Sequence, residues 1–523
     1  MLYAQAPRFS APPAVKSFGL RTYGLACRKS LRMRSYKPLH NSFKTSNFKV
    51  SRMRSYENRI GNPFRMRSCK KQGWGWGVLF RRPLGNSLSL LTTRHSLPSP
   101  LLPFATGAIL SLVNPMHRVY LDHNATTPVE PEVLDAMLPY LSAEYGNAAS
   151  IHTFGQKARA AVEQARESVA ALLGARPQEI VFTSGGTESD NHAIFGVVAA
   201  ASGAQKNVAA SSAKEESAAG GEKHVITTAI EHEAVLNACQ ALEKQGVAVT
   251  FLPVDRNGRV NPEAVRRSIR PETVLITIMH ANNELGTVQP LEEIGRIAKE
   301  ADVYFHTDAV QSAGKLPISV NAMQVDLLSI SGHKLYASKG VGALYVRSGT
   351  RLRQFLYGGH HQRGFRPGTE NVPGIVGLGQ AADLARMSLE KDACRISNLR
   401  DDLERGLLAR VPDARLNGSD APRTPNTTNI TFAGVEGEAL VIALDLRGLA
   451  CSTGAACSSG AVEPSHVLTA IGLPPEEARA SLRFSLGRQT KRADIDFALD
   501  VVPAAVAQLR ELSPSYRKAV EAS

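Results

Sequence analysis

The 523-residue chain is 43% apolar and carries a formal charge of +14, enough length and apolar content for a large core and at least two domains. The charge is unevenly placed: residues 1–117 hold 20 Lys/Arg and one acid, Glu57, whereas the other 406 residues hold 41 basic and 46 acidic side chains. The mildly acidic body gives no electrostatic ground for binding nucleic acid or a membrane, so any such role is confined to the extension.

Residues 1–117 lack sustained periodicity and echo themselves, with RMRSY at 32 and 52 and RMRS at 65. Arg- and Ser-rich, acid-poor sequence has the composition of a mitochondrial transit peptide. Two other readings are translated upstream sequence with Met116 as the true start, and a basic nucleic-acid-binding arm. All three predict disorder. The compartment expected is the cytoplasm, or the mitochondrion if the extension is a transit peptide. Its longest apolar stretch, residues 101–113, is too short to span a bilayer easily.

From residue 118 the punctuation becomes regular. TTPVEPEVLDAML predicts a helix with Thr127 as cap and Pro128 in the first turn. A second helix follows, with Val162, Ala165, Val169 and Leu172 on one face and Gly174 as its stop. Strands are then expected at 180–182, 224–230, 273–279 and 303–308, with a helix at 291–301. This alternation predicts an α/β fold with a mostly parallel sheet. The low-complexity stretch 199–222 reads as a flexible surface insertion. After residue 384 long helices and sparse strands suggest a smaller α+β domain. The organisation expected is therefore an extension (1–117), a large domain (134–383) and a small domain (118–133 with 384–523). The six cysteines (27, 69, 239, 394, 451 and 457) show neither C-x-x-C nor zinc spacing, which favours free thiols over a disulfide framework.

In parallel α/β sheets ligands bind beyond the carboxyl ends of the strands, and those ends carry the chemistry here. After Phe182 a glycine turn opens a helix with Ser184 and Thr187 hydroxyls, a setting that favours phosphate. Other apolar runs end in Glu231 and His232, in Asn282 and Asn283, in Asp308 followed by Gln311, and in Ser331, His333 and Lys334. A phosphate cradle, a strand-end acid and a strand-end lysine together fit pyridoxal 5′-phosphate. That cofactor needs a lysine for its imine, an acid to keep its ring nitrogen protonated, and donors for its phosphate.

These residues resemble the class V, fold-type-I PLP enzymes, specifically the cysteine desulfurases of the nitrogen-fixation and iron–sulfur-assembly type. The likeness runs from Val119 to about Pro514. It rests on YLDHNATTP (120–128), YGNAASIH (145–152), FTSGGTESDN (182–191), HANNELG (280–286), DAVQSAGK (308–315), SGHK (331–334), RGFRPGTEN (363–371), STGAACSSG (452–460), EPSHVL (463–468) and LRFSLGR (482–488). The resemblance implies a central sheet with helices on both faces. It implies a Schiff base at Lys334, His232 on the ring face, Asp308 at the ring nitrogen and Gln311 at the phenolic oxygen. Gly186, Thr187, Ser331 and His333 would surround the phosphate, and Thr369 would reach it from the partner of a homodimer. Asn283 is expected to touch cofactor and substrate, and Arg483 to hold the substrate carboxylate through its planar fork.

Cys457 narrows the resemblance to a reaction. It lies in a run of Ser, Thr, Gly and Ala with no apolar periodicity to bury it, as a thiol carried on a mobile loop would. L-Cysteine would give up its sulfur to this thiol as a persulfide, leaving L-alanine. The partners implied are a sulfur acceptor or iron–sulfur scaffold protein, and the only metal contact implied is a transient iron–sulfur one at Cys457. Cys451 reads as a structural thiol. The rival enzymatic readings are a selenocysteine lyase or a transaminase on the same fold.

Overall fold

The computed structural model describes residues 118–203, 223–454 and 464–512. The basic extension, Cys457 and most of the expected insertion lie outside the described residues. In chain order the first elements are β1 (Val119–Tyr120), α1 (Pro131–Ser142), α2 (Thr153–Leu173), β2 (Ile180–Thr183), α3 (Gly186–Gly203), β3 (His224–Thr228), α4 (Glu233–Glu243), β4 (Ala248–Leu252), α5 (Pro262–Ser268), β5 (Thr273–Thr277) and α6 (Leu291–Glu300). There follow β6 (Tyr304–Asp308), β7 (Leu327–Ser331), β8 (Gly342–Val346), α7 (Val372–Arg410), β9 (Ala414–Leu416) and β10 (Thr427–Phe432). The last are α8 (Gly437–Asp445), β11 (Leu449–Ala450), α9 (His466–Ala470), α10 (Pro475–Arg479), β12 (Ser481–Ser485) and α11 (Arg492–Leu512).

Seven strands form the main sheet in the order β2-β8-β7-β6-β5-β3-β4. β4, β3, β5, β6 and β7 pair in parallel, and β8 runs antiparallel to both its neighbours. The reversal follows from chain length. The turn at 332–341 is too short for a parallel crossover, which needs a dozen or more residues. Successive strand residues feed opposite faces: Val225 and Leu327 join one apolar cluster, with α3 and α4, while Ile226 and Leu328 join another, with α2, α6 and α7. Burial on both faces is what the near-continuous apolar strands required.

Helix α6 shows how tightly these layers close. Leu291, Ile294, Ile297 and Ala298 are buried along one stripe, and a fully buried Leu or Ile side chain contributes about 1.5–3 kcal/mol. A Cβ on Gly295 would lie 1.9 Å from the carbonyl oxygen of Met323, so only glycine lets the helix approach there.

A further apolar cluster gathers β1, β10, β12, α8, α11 and the second half of α7. Helix α7 is continuous through residue 384 and enters two clusters, with Ile375, Leu378 and Ala385 in one and Ile396, Leu403 and Leu407 in the other. The sequence-based division at 383/384 thus falls inside a helix.

Two local expectations are corrected. Helix α1 begins at Pro131 with Glu130 as its cap residue, not after Thr127. The Thr127 hydroxyl donates to the His333 carbonyl (3.0 Å) and accepts from the Tyr336 amide (2.9 Å), so it is committed to another turn. The alanine-rich start of the 199–222 stretch is helical through Gly203, in line with alanine's high helix propensity. Gly174 does end α2, in the left-handed conformation.

Candidate active site

The carboxyl ends of β2, β3, β6 and β7 bring the expected polar residues to one side of the sheet. Asp308, the last residue of β6, is 6% exposed, and its Oδ1 accepts a hydrogen bond from the Val310 amide (2.8 Å). Burial pushes its carboxyl above the usual range, while His232, the Val310 amide and Lys334 pull it back. A cation facing Asp308 therefore favours its anion. His232 follows the turn after β3 and caps α4, its Nδ1 accepting from the Ala234 amide (3.1 Å).

Lys334 closes the short turn after β7. Its Nζ donates to the carbonyl oxygens of Asn124 and Ala125, the latter at 2.8 Å. The neighbouring His333 ring meets the Thr126 hydroxyl (3.2 Å). Burial and the charges of Lys334 and Lys339 push His333 down to about 4, so at neutral pH it offers hydrogen bonds and no charge.

The glycine turn before α3 is held between two elements. A Cβ on Gly186 would lie 2.7 Å from Val310 Cγ2, and one on Gly342 would lie 2.6 Å from Gly185 Cα. The buried Ser331 hydroxyl borders this turn, and Thr187 is exposed in the first turn of α3. The main-chain N–H groups of a helix start and two hydroxyls thus suit a phosphate. With Lys334 and the buried strand-end acid Asp308, the donor set fits pyridoxal 5′-phosphate.

A second side of the site comes from β12. Arg483 is 3% exposed; its Nη2 pairs with Asp122 Oδ1 (2.7 Å) and its Nη1 donates to the Asn283 carbonyl (3.1 Å). Among the described residues its buried Nε has no hydrogen-bond partner. The Asn283 carbonyl also accepts from the Asn124 side chain (3.1 Å). Asn282 is structural: its Oδ1 accepts from the amides of Glu284 and Leu285, both at 2.9 Å, and its Nδ2 donates to the Ile230 carbonyl. Gln311 is buried, its Nε2 donating to the Asn124 carbonyl (3.0 Å).

Thr369 is not brought into this cluster. It is exposed in the loop before α7 and makes no hydrogen bond to these residues. That loop is tied to its own chain by Arg366, which pairs with Glu188 of α3 at 2.9 Å. Cys451 is buried, and its thiol is pushed well above the usual range by burial, as an inert structural cysteine should be.

Sequence reasoning named Glu231 at a strand end without giving it a role, and it passed over other groups that shape the site. Asn124 is a hub: its amide N–H donates to Ser485 Oγ, its Nδ2 to Thr427 Oγ1, and its Oδ1 accepts from Asn426 and Lys315. Glu231 is fully buried, accepting from the Thr228 hydroxyl (2.6 Å) and the Met279 amide, and burial raises its carboxyl to about 8. Beneath Asp308, His306 touches Thr277 (2.8 Å) and Ser329 (3.0 Å) and lies 3.6 Å from Asp190; burial pushes His306 down to about 3 and Asp190 upward. Their common signal was position, since Glu231 and His306 sit at or near strand ends and Asn124 and Lys315 within the motifs already singled out.

Comparison with known proteins defines the class. The aminotransferase class-V family matches residues 119–497, and the chain belongs to that family. A cysteine desulfurase IscS of Dictyoglomus turgidum is 49% identical over 397 residues, which cover 76% of this chain and 96% of that protein. A cysteine desulfurase IscS of Methanosarcina thermophila is 50% identical over 396 residues, covering 76% and 94%. Among solved structures, a NifS-like protein superposes with a TM-score of 0.67 at 36% identity, covering 75% of this chain and all of the other. SspA in complex with cysteine gives 0.60 at 40% identity, covering 70% and 98%. Within the family, then, the chain is a PLP-dependent cysteine desulfurase with the fold-type-I architecture. Among the described residues, no helix is long and apolar enough to cross a membrane.

Proposed function

We propose that the chain removes sulfur from L-cysteine at the strand-end site and hands it to a protein acceptor through Cys457. The observation that carries this is the convergence of Lys334, Asp308 and His232 at the ends of β7, β6 and β3, with Arg483 opposite. When bound, pyridoxal 5′-phosphate withdraws electrons from the substrate's Cα and so eases loss of its proton. Lys334 holds the cofactor and then moves that proton. Asp308 would hold the ring nitrogen, His232 would cover the ring, and Gln311 and Asn283 would meet its polar edge. Gly186, Thr187, Ser331 and His333 would take the phosphate. Arg483 orients the substrate carboxylate, for which its paired N–H groups suit.

The sulfur transfer balances without an outside oxidant. The substrate's Cβ–S bond breaks, an S–S bond forms to the Cys457 sulfur, Cβ is reduced to the methyl group of alanine, and Cys457 is left as a persulfide. An acceptor or iron–sulfur scaffold protein then collects the sulfane sulfur. The residues flanking Cys457 support this assignment. Ser452 exchanges main-chain hydrogen bonds with Arg483, and Ser465 donates to Glu284 (2.6 Å).

The working unit in this reading is a homodimer. Leu134, Leu138 and Leu141 of α1, with Tyr145, Ile151 and Phe154, are exposed, Ile151 at 92%. So large an apolar set suits a second copy, and Thr369 would then meet the partner's phosphate. The second apolar cluster is read as the smaller domain.

The test is an assay of sulfide and alanine after L-cysteine is added, on wild type and Cys457→Ser. With a dithiol present to reduce the persulfide, the expected result is alanine and sulfide from the wild type and loss of sulfide release in the variant. Full release of alanine and sulfide by the variant would mean that Cys457 does not carry the sulfur, and a wild type that consumes L-cysteine without releasing either product would point instead to a transaminase.

A further inference from the structure

Lys315, the last residue of the DAVQSAGK stretch, enters none of the roles above, yet it is bound at the centre of the site. Its Nζ donates to Gln311 Oε1 (3.0 Å) and to Asn124 Oδ1 (3.2 Å). Among the described residues no carboxylate pairs with it. Asn124 therefore holds two amines: Lys315 on its side-chain oxygen and Lys334 on its main-chain oxygen. The same carbonyl also accepts from Gln311 Nε2 (3.0 Å).

This arrangement has an orienting consequence and an electrostatic one. Because Lys315 occupies the Gln311 carbonyl oxygen, the Gln311 amide is turned with an N–H toward the Asn124 carbonyl. An amide has no such preference of its own. The electrostatic consequence concerns the charges around Lys315. The cations that face it are Lys334 and Arg483, and His123 also feels its charge. The carboxylates of the site act on other groups, Asp122 on Arg483 and Asp308 with Lys334 and His232. Burial first, then Lys334 and Arg483, push Lys315 down to about 7. Repulsion between two amines is mutual, so a charge on Lys315 disfavours a charge on Lys334 to the same extent.

We propose that Lys315 is a positioning residue for the cofactor-bearing lysine: it aims the Gln311 amide and, while it keeps its proton, sets an ammonium on Asn124, the residue whose main-chain oxygen holds Lys334. The inference rests on the reading of Lys334 as the lysine that carries the cofactor.

The test compares full-length, cofactor-loaded wild type with Lys315→Met and Lys315→Arg by titrating the visible absorbance of the bound cofactor against pH. Removing the charge should raise the midpoint by about one pH unit, and Lys315→Arg, which keeps a charge, should not raise it. Should the Met variant not fold, Lys315→Gln supplies the same neutral comparison. An unmoved or lowered midpoint in the neutral variant overturns the inference. So does an equal rise in the Arg variant, which would mark a packing effect. Borohydride reduction and peptide mapping of the same samples separate the two readings. A label on Lys334 with an unmoved midpoint sinks only this inference, whereas a label on Lys315 sinks the assignment of Lys334.

Discussion

The two sides of the site differ in how they hold charge. At the ends of the main sheet, Asp308, Glu231, Asp190 and His306 are buried, and each is pushed toward its neutral form. Across from them, Arg483 of β12 keeps a permanent cation beside Asp122 at 2.7 Å. One side supplies groups whose protonation a ligand can change, and the other supplies a fixed charge for a ligand to meet. Proton transfer needs the first kind of environment, and carboxylate recognition needs the second.

Substitutions on either side should expose that contrast. The largest effect is expected at the sheet end. Lys334→Ala should lose the covalently bound chromophore and lower alanine formation by about 10³-fold or more, measured by absorbance and product assay. Next is Arg483→Gln, which removes the fixed cation and leaves Asp122 unpaired. It should raise KM for L-cysteine by about 10- to 100-fold and change kcat less, read from initial rates.

The smallest effect at neutral pH belongs to Glu231→Gln, because a carboxyl raised to about 8 is already protonated there. Its signature is in the pH dependence of stability. The folded chain keeps a proton that the unfolded chain releases above about 4.3. The stability of the wild type should therefore fall, relative to the variant, as pH rises from about 5 to 8, by about 4 kcal/mol over that window. Thermal melts of both proteins at several pH values measure this. A constant difference would mean that Glu231 is ionised when folded.

Much of this contrast was legible in the sequence on the sheet side and little of it on the other. Apolar runs mark the strands, so Asp308 and Lys334 could be placed at strand ends by counting outward from Phe305 or Ile330. The antiparallel course of β8 leaves no mark in its apolar run, which reads the same in either direction when both faces are buried; its only trace is the shortness of the 332–341 turn. The start of α1 was misplaced because Thr127 has the chemistry of a cap but spends its hydroxyl on residues 206 and 209 positions away. Asn124 and Lys315 were missed for the same physical reason: their roles arise from tertiary contacts that leave no periodic trace. Arg483 was placed by the resemblance rather than by its own surroundings, and its ion pair with Asp122 became visible only in the fold.

Strand β1 pairs with β11, and the Asn124 amide reaches Ser485, 361 residues further along the chain. One wall of the pocket is thus fastened to a segment made 361 residues later. During synthesis the nascent polypeptide can form the main sheet well before it has a finished binding site, so vitamin capture has to wait for β12. A stalled or truncated product lacking β12 would carry the lysine and still be unable to enclose what that lysine binds.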